Sequence, residues 1–196
     1  MARCKAIGLH GLKLHFANAR LDLRNPADVE KASAVFAAAN AERLPILVHL
    51  RARNAPFGAR DARIFIEKIL PAARDVPVQL AHLAGWGSYD QANDDALVAF
   101  IDAMKSGEID RSHLYFDVAA VFVVVWRGLK LDASVSSWTP VIAQRMREIG
   151  LDHVLFGTDW PSLRSQSTIA TFLLNESGLT RAEVHRVFGN LAPYLQ

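Results

Sequence analysis

The sequence predicts an α/β fold built on a parallel sheet, and three observations carry that reading. Short apolar runs alternate along the chain with amphipathic stretches of helical period, the pattern of repeated strand-helix units. Each apolar run ends in a polar residue. These ends, His15, His49, His82, Asp117 and Asp159, recur at intervals of 34, 33, 35 and 42 residues. Helical solenoids share a period of about 34 residues, but every unit here opens with a β-like run, which argues against a tetratricopeptide array. Units of this kind build either an open doubly wound sheet or a barrel, and in both the ligand site lies at the carboxyl ends of the strands.

Composition bounds the remaining classes. At 196 residues the chain is read as one domain, 1–196, and 51% hydrophobic with 21% charged residues marks a globular chain with a sizeable core. The 22 basic and 20 acidic residues are mixed along the chain, and a net charge of +2 implies no nucleic-acid partner. One cysteine, Cys4, excludes an internal disulfide and a cysteine-based zinc cluster and suits a reducing, cytoplasmic setting. The longest apolar stretch, Val118 to Trp126, falls far short of a membrane span, and no signal-peptide pattern opens the chain, so a soluble protein is expected.

The elements follow in order. Leu12 to His15 alternates, with Lys13 and His15 on one face and Leu12 and Leu14 on the other. Asn25 and Pro26 suit the cap and first position of a helix running to about Arg43. Pro45 to Leu50 is a second strand ending in His49; a loop from Arg51 to Arg60 precedes a helix from Asp61 to about Ala73. Pro77 to Leu83 is a third strand carrying His82, followed by Ala84 to Ser88 and a helix from Asn93 to Lys105. Leu114 to Val118 is a fourth strand with Asp117 near its end, and Ala119 to Trp126 either extends it or walls a pocket. Ala133 to Ile149 reads as a helix with Pro140 near its true start, closed by Gly150. The fifth strand, Val154 to Phe156, leads to Asp159, and Thr180 with Glu183 forms a capping box for the last helix.

Alternation places Lys13 with His15, Leu47 with His49, Leu80 with His82, Tyr115 with Asp117 and Gly157 with Asp159 on common faces, so the five polar ends converge. A carboxylate straight after Val154-Leu155-Phe156 is costly to bury unless it meets a cation, a metal or several donors, although an N-cap role for Asp159 explains it equally. Two imidazoles and a carboxylate from different strands suit a divalent metal, zinc first and manganese as the alternative, with an open position for water. The other four histidines read as structural: His10 lies ahead of the first strand, His113 and His153 stand where strands begin, and His185 rides the last helix. Lys13 either neutralises a substrate carboxylate or ligand charge, or snorkels at the strand end. Arg51 and Arg53 either clamp an anionic substrate or are merely solvated. Gly85-Trp86-Gly87 lacks the third glycine of a dinucleotide fingerprint, and neither a phosphate-binding loop nor a Gly-x-Ser-x-Gly elbow occurs, so no nucleotide cofactor site is expected.

Gly11-Leu12-Lys13-Leu14-His15, Ile46-Leu47-Val48-His49, Leu80-Ala81-His82-Leu83-Ala84-Gly85, Leu155-Phe156-Gly157-Thr158-Asp159-Trp160-Pro161 and Gly189-Asn190-Leu191-Ala192 together resemble the amidohydrolase superfamily. The closer resemblance is to the amidohydrolase-related branch that includes aminocarboxymuconate-semialdehyde decarboxylase. It implies a distorted (β/α)₈ TIM barrel of metal-dependent hydrolase type, present here as strands four to eight, with about three N-terminal units lacking. His49 then corresponds to the fifth-strand metal ligand, His82 to the sixth-strand group that polarises substrate or activates water, and Asp159 to the eighth-strand aspartate that binds metal and handles the proton. Lys13, His15, Arg51 and Asp117 remain substrate-binding candidates. The family's paired first-strand histidines have no counterpart, since none of the seven histidines has another two residues away. The expected function is a metal-dependent hydrolase or decarboxylase acting on a small carboxylate-bearing, amide or ester substrate. The alternative is a non-catalytic remnant or assembly subunit whose open edges pair in a homo-oligomer or with the missing half.

Overall fold

Five short apolar runs hydrogen-bond side by side as β1 (Leu12–His15), β2 (Ile46–His49), β3 (Val78–Leu80), β4 (Leu114–Asp117) and β5 (Val154–Leu155). All neighbours are parallel and the order across the sheet is β1-β2-β3-β4-β5, the order of the sequence. The computed structural model describes residues 2–51, 56–86, 89–122, 133–159, 170, 173–192 and 195, with backbone only for 133–136. Among these, the helices are α1 (Ala2–Ala6), α2 (Pro26–Ala41), α3 (Ala59–Lys68), α4 (Gln91–Lys105), α5 (Ala133–Ile149) and α6 (Arg181–Gly189). None of the described helices is long and apolar enough to cross a membrane.

The register sorts the strand residues into two faces. Leu14, Val48, Leu80, Phe116 and Val154 are cross-strand partners in one row, and Leu12, Ile46, Val78 and Leu114 form a second row on the same side. This side meets the helices: Phe116 packs edge-on to Phe100 of α4 at 5.9 Å, Phe100 to Phe65 of α3 at 6.0 Å, and Phe65 to Phe36 of α2 at 5.5 Å. All four rings are fully buried, and their offset and edge contacts add to the burial energy of the core. On the opposite face, Lys13, Leu47, Gln79 and Tyr115 form one row, His15 pairs with His49, and Asp117 pairs with Leu155.

Caps and breaks account for most helix boundaries. Asn25 accepts from the Ala27 amide with Pro26 at the first position, as expected, and Thr180 with Glu183 completes the predicted capping box. The Asp61 to Ala73 helix is instead α3 followed by a 3₁₀ turn, Leu70–Ala73, because Pro71 lacks an amide proton and disfavours α geometry at Leu70. α4 starts at Gln91, two residues ahead of the expected Asn93, since Asp90 accepts from the Asn93 amide and fixes the cap there. Pro140 lies inside α5, not at its start. The buried stripe Thr139, Ile142, Ala143, Met146 and Ile149 holds the helix against the body despite the proline. Val118 to Phe122 leave the strand at once as a buried turn, so they do not extend it; the remainder of that apolar stretch, 123–126, lies outside the described residues.

The ring chain gives a direct test. Phe100→Ala removes the centre of the aromatic series and should destabilise the fold by about 3–5 kcal/mol, read as a lower urea midpoint at unchanged denaturant slope. A loss well under 1 kcal/mol would show that the helices do not depend on this contact.

Candidate functional site

The polar ends of the strands do converge, by two different routes. His15 and His49 are register partners at the ends of β1 and β2, and parallel pairing stacks their rings at 4.1 Å with planes 6° apart. His82 does not stand on a strand. β3 ends at Leu80, and Leu80 belongs to the helix-facing row, so the expected sharing of a face by Leu80 and His82 does not hold. Instead His82, Leu83 and Ala84 all take left-handed backbone angles, with φ of 58°, 50° and 66°. This sharp turn swings the imidazole onto the polar face, edge-on to His49 at 5.1 Å. Asp159 likewise lies past the end of β5, at φ 54°, rather than on an extended strand.

Left-handed angles cost an L-residue with a Cβ about 1–2 kcal/mol each, so the turn needs external support. Asp117, buried at the end of β4, supplies much of it. Its Oδ1 accepts from the His82 amide at 2.9 Å and the Ala119 amide at 3.1 Å, and its Oδ2 accepts from Gln79 Nε2 at 2.7 Å. Asn93, fully buried on α4, donates from Nδ2 to the Leu83 carbonyl at 3.0 Å, and the Gly85 amide closes onto the His82 carbonyl. His82 Nδ1 lies 2.6 Å from the Ala119 carbonyl. Arg51 pairs with Asp90, the cap of α4, at 2.9 Å and stands over the Phe57 ring, so it ties the loop after β2 to the helix that carries Asn93. Arg53, Trp160 and Pro161 lie outside the described residues.

The electrostatics favour the neutral form of His15 and His49. Burial, and then the neighbouring charges of His15, His82 and Lys13, lower His49 from 6.5 to about 3. His49 Nδ1 is buried without a hydrogen-bond partner among the described residues, while its ring also meets Trp86 edge-on at 4.7 Å. His15 is lowered by desolvation and by Lys13 and His82; its Nδ1 accepts from the Asn18 amide at 3.4 Å. Lys13 is lowered by desolvation, opposed by the nearby charges of Asp117 and Asp159. Gathered here, then, are Lys13, His15, His49, His82, Asp117 and Asp159, with Arg51 engaged at the periphery. The sequence reading overlooked Gln79, Asn93 and Trp86. A glutamine inside an apolar strand was the available signal for Gln79.

The donor set fits a metal in part. A buried, neutral imidazole with an unpartnered nitrogen is what a divalent cation takes as a ligand. Among the described residues, however, no group of three or more His, Cys, Asp or Glu is arranged to hold an ion by itself.

A model of the amidohydrolase family matches residues 1–191. The chain belongs to the amidohydrolase family. Members are generally metal-dependent. No curated protein matches. Among solved structures, an amidohydrolase from Burkholderia multivorans with bound HEPES aligns at TM-score 0.59 and 17% identity, covering 96% of this chain and 66% of that one. A zinc-bound crystal form of the Burkholderia multivorans amidohydrolase aligns at TM-score 0.55 and 16% identity, covering 85% and 59%. An uncharacterised TIM-barrel protein from Bordetella bronchiseptica aligns at TM-score 0.54 and 13% identity, covering 95% and 59%. The α/β fold with TIM-barrel neighbours is thereby established, and this amidohydrolase chain spans 66% or less of the length of those neighbours.

Unfolded, His49 titrates near 6.5, whereas in the fold it is held near 3. Between these values the unfolded chain binds the extra proton, so stability falls as pH falls. In chelator-treated protein, the loss of unfolding free energy from pH 6.5 to about 4 should be shallower in His49→Asn, by at most about 1.4 kcal/mol per pH unit; parallel slopes would show that His49 protonates freely. Separately, a Cβ on Gly85 would collide with Asn93 Oδ1 and meet the His82 carbonyl at 3.0 Å. Gly85→Ala should therefore cost about 1–3 kcal/mol, and a melting temperature equal to wild type would contradict the packing described.

Proposed function

We propose that this chain forms strands four to eight of an amidohydrolase-related (β/α)₈ barrel and serves a metal-dependent hydrolase or decarboxylase acting on a small carboxylate-bearing, amide or ester substrate. The observation that carries the proposal is the convergence of His15, His49 and His82 with Asp117, Asp159 and Lys13 at the carboxyl ends of parallel strands. The sequential strand order and the partial span of the longer neighbours support the assignment to a portion of a barrel. The closer likeness to aminocarboxymuconate-semialdehyde decarboxylase rests on the sequence motifs.

His49 and Asp159, with further donors, would hold a divalent cation, zinc or alternatively manganese. That ion supplies Lewis acidity toward a water or a substrate oxygen when bound. The remaining chemistry belongs to the chain. His82 presents an imidazole whose Nδ1 is committed to the Ala119 carbonyl, so its Nε2 is the atom available to accept a proton or orient a substrate oxygen. Asp159, whose charge is felt by Lys13 and His15, handles the proton. Lys13, with two carboxylates as charge neighbours, receives the carboxylate of a substrate, and His15 flanks it. Arg51 acts through its pairing with Asp90, holding the rim.

A second reading has its own support: a non-catalytic assembly subunit. β1 and β5 each have one neighbouring strand among the described residues, and Ile7, Leu9, Leu191 and Leu195 are exposed. Metal analysis after dialysis, with a small-carboxylate and ester turnover screen, separates the two. About one zinc or manganese per chain, lost in His49→Ala/Asp159→Ala, with turnover falling at least about 100-fold in His82→Ala, is the expected result. Turnover that needs no metal and survives His82→Ala and Asp159→Asn would sink the enzymatic reading, and a metal-free, inactive homo-oligomer would favour the second.

A further inference from the structure

Three hydrogen bonds around the His82 turn close a ring. The His82 and Ala119 amides donate to the same oxygen, Oδ1 of Asp117, and the Ala119 carbonyl lies 2.6 Å from His82 Nδ1. A carbonyl oxygen has no proton to give, so Nδ1 carries the hydrogen and Nε2 keeps its lone pair. The orientation of the ring therefore depends on Ala119, and Ala119 depends on the carboxylate. Gln79 enters from outside this ring, donating from Nε2 to Asp117 Oδ2 at 2.7 Å. That contact turns Oδ2 toward β3 and leaves Oδ1 to the two amides. Both Gln79 and Asp117 are buried, so water does not substitute readily for either.

We infer that Gln79 is a positioning residue for the site: through Asp117 and the Ala119 peptide it holds His82 as the Nδ1–H tautomer and keeps Nε2 as the working nitrogen. The functional meaning rests on the proposed role of His82, whereas the tautomer is a property of the folded chain without metal or substrate. The residue type matters. A leucine of similar size leaves Oδ2 buried and unpaired, and a glutamate sets two carboxylates at hydrogen-bond distance. Glutamate at 79 combined with asparagine at 117 reverses donor and acceptor across the same contact and restores it, while the asparagine oxygen still accepts from both amides.

Long-range proton–nitrogen correlation spectra of ¹⁵N-histidine-labelled, chelator-treated protein at about pH 8, above the ordinary histidine range, read the tautomer directly. The His82 signals are assigned by their loss in His82→Ala. Wild type should show the Nδ1–H pattern. Gln79→Leu and Gln79→Glu should lower the ratio of Nδ1–H to Nε2–H forms about fivefold or more, and Gln79→Glu/Asp117→Asn should return it to wild type. A purely packing role for Gln79 would change the urea midpoint of the single variants but not this ratio, and that outcome overturns the inference. So does an Nε2–H pattern in wild type, or a double variant that unfolds or fails to recover the pattern. If a single variant unfolds, the double variant carries the test alone. Should the turnover screen find no activity while the tautomer responds as expected, the positioning role stands and the enzymatic reading falls.

Discussion

The buried carboxylate of Asp117 is the constraint on which the site depends. It accepts three N–H donors from three places in the chain: the side chain of Gln79 on β3, the backbone of His82 after β3, and the backbone of Ala119 after β4. A charged acceptor meeting several donors in a desolvated position makes stronger hydrogen bonds than a neutral one. That strength is what a run of three left-handed residues requires, because no glycine relieves the strain at His82, Leu83 or Ala84. Asn93 supports the same turn from the helix side through the Leu83 carbonyl. Sheet and helix layers thus meet at one strained corner, and the imidazole of His82 is placed by that corner.

Much of this was legible in the sequence where the physics is local. The repeated apolar runs, the Asn25-Pro26 start of α2 and the Thr180-Glu183 box are decided within a few residues. Strand alternation also placed Lys13, His15, His49 and Asp117 on one face, since each stands within a strand. It failed at His82 and Asp159, which lie beyond the last paired residues of β3 and β5, where a period of two no longer applies. Gln79 was hidden for the same reason. A β3 running to Leu83 and aligned by His82 puts Leu80 on the face that Gln79 occupies. Registers and left-handed turns depend on partners far along the chain, and one sequence does not expose them.

The neighbouring histidines illustrate how burial selects a protonation state. A stacked pair 4.1 Å apart would be strongly unfavourable with both rings charged, and desolvation pushes His49 and His15 the same way. The chain therefore offers lone pairs and not positive charge at this spot, leaving Lys13 to provide a cation. The two faces of one sheet keep both kinds of group apart from the aromatic core.

The order of the sheet has a consequence for how the chain is made. Among the described residues every strand pairs only with its neighbours in sequence, so each new strand leaving the ribosome finds the preceding one already synthesised. Assembly can then proceed vectorially, with the most recent strand always the exposed edge and the latest unit always incomplete. Asp117, arriving one unit after His82, is the late-coming anchor: until β4 is laid down, the turn after β3 lacks the acceptor that stabilises it. The placement of the His82 imidazole is thus the product of the following unit, and a nascent chain halted before β4 would carry His82 in its sequence without having it in place.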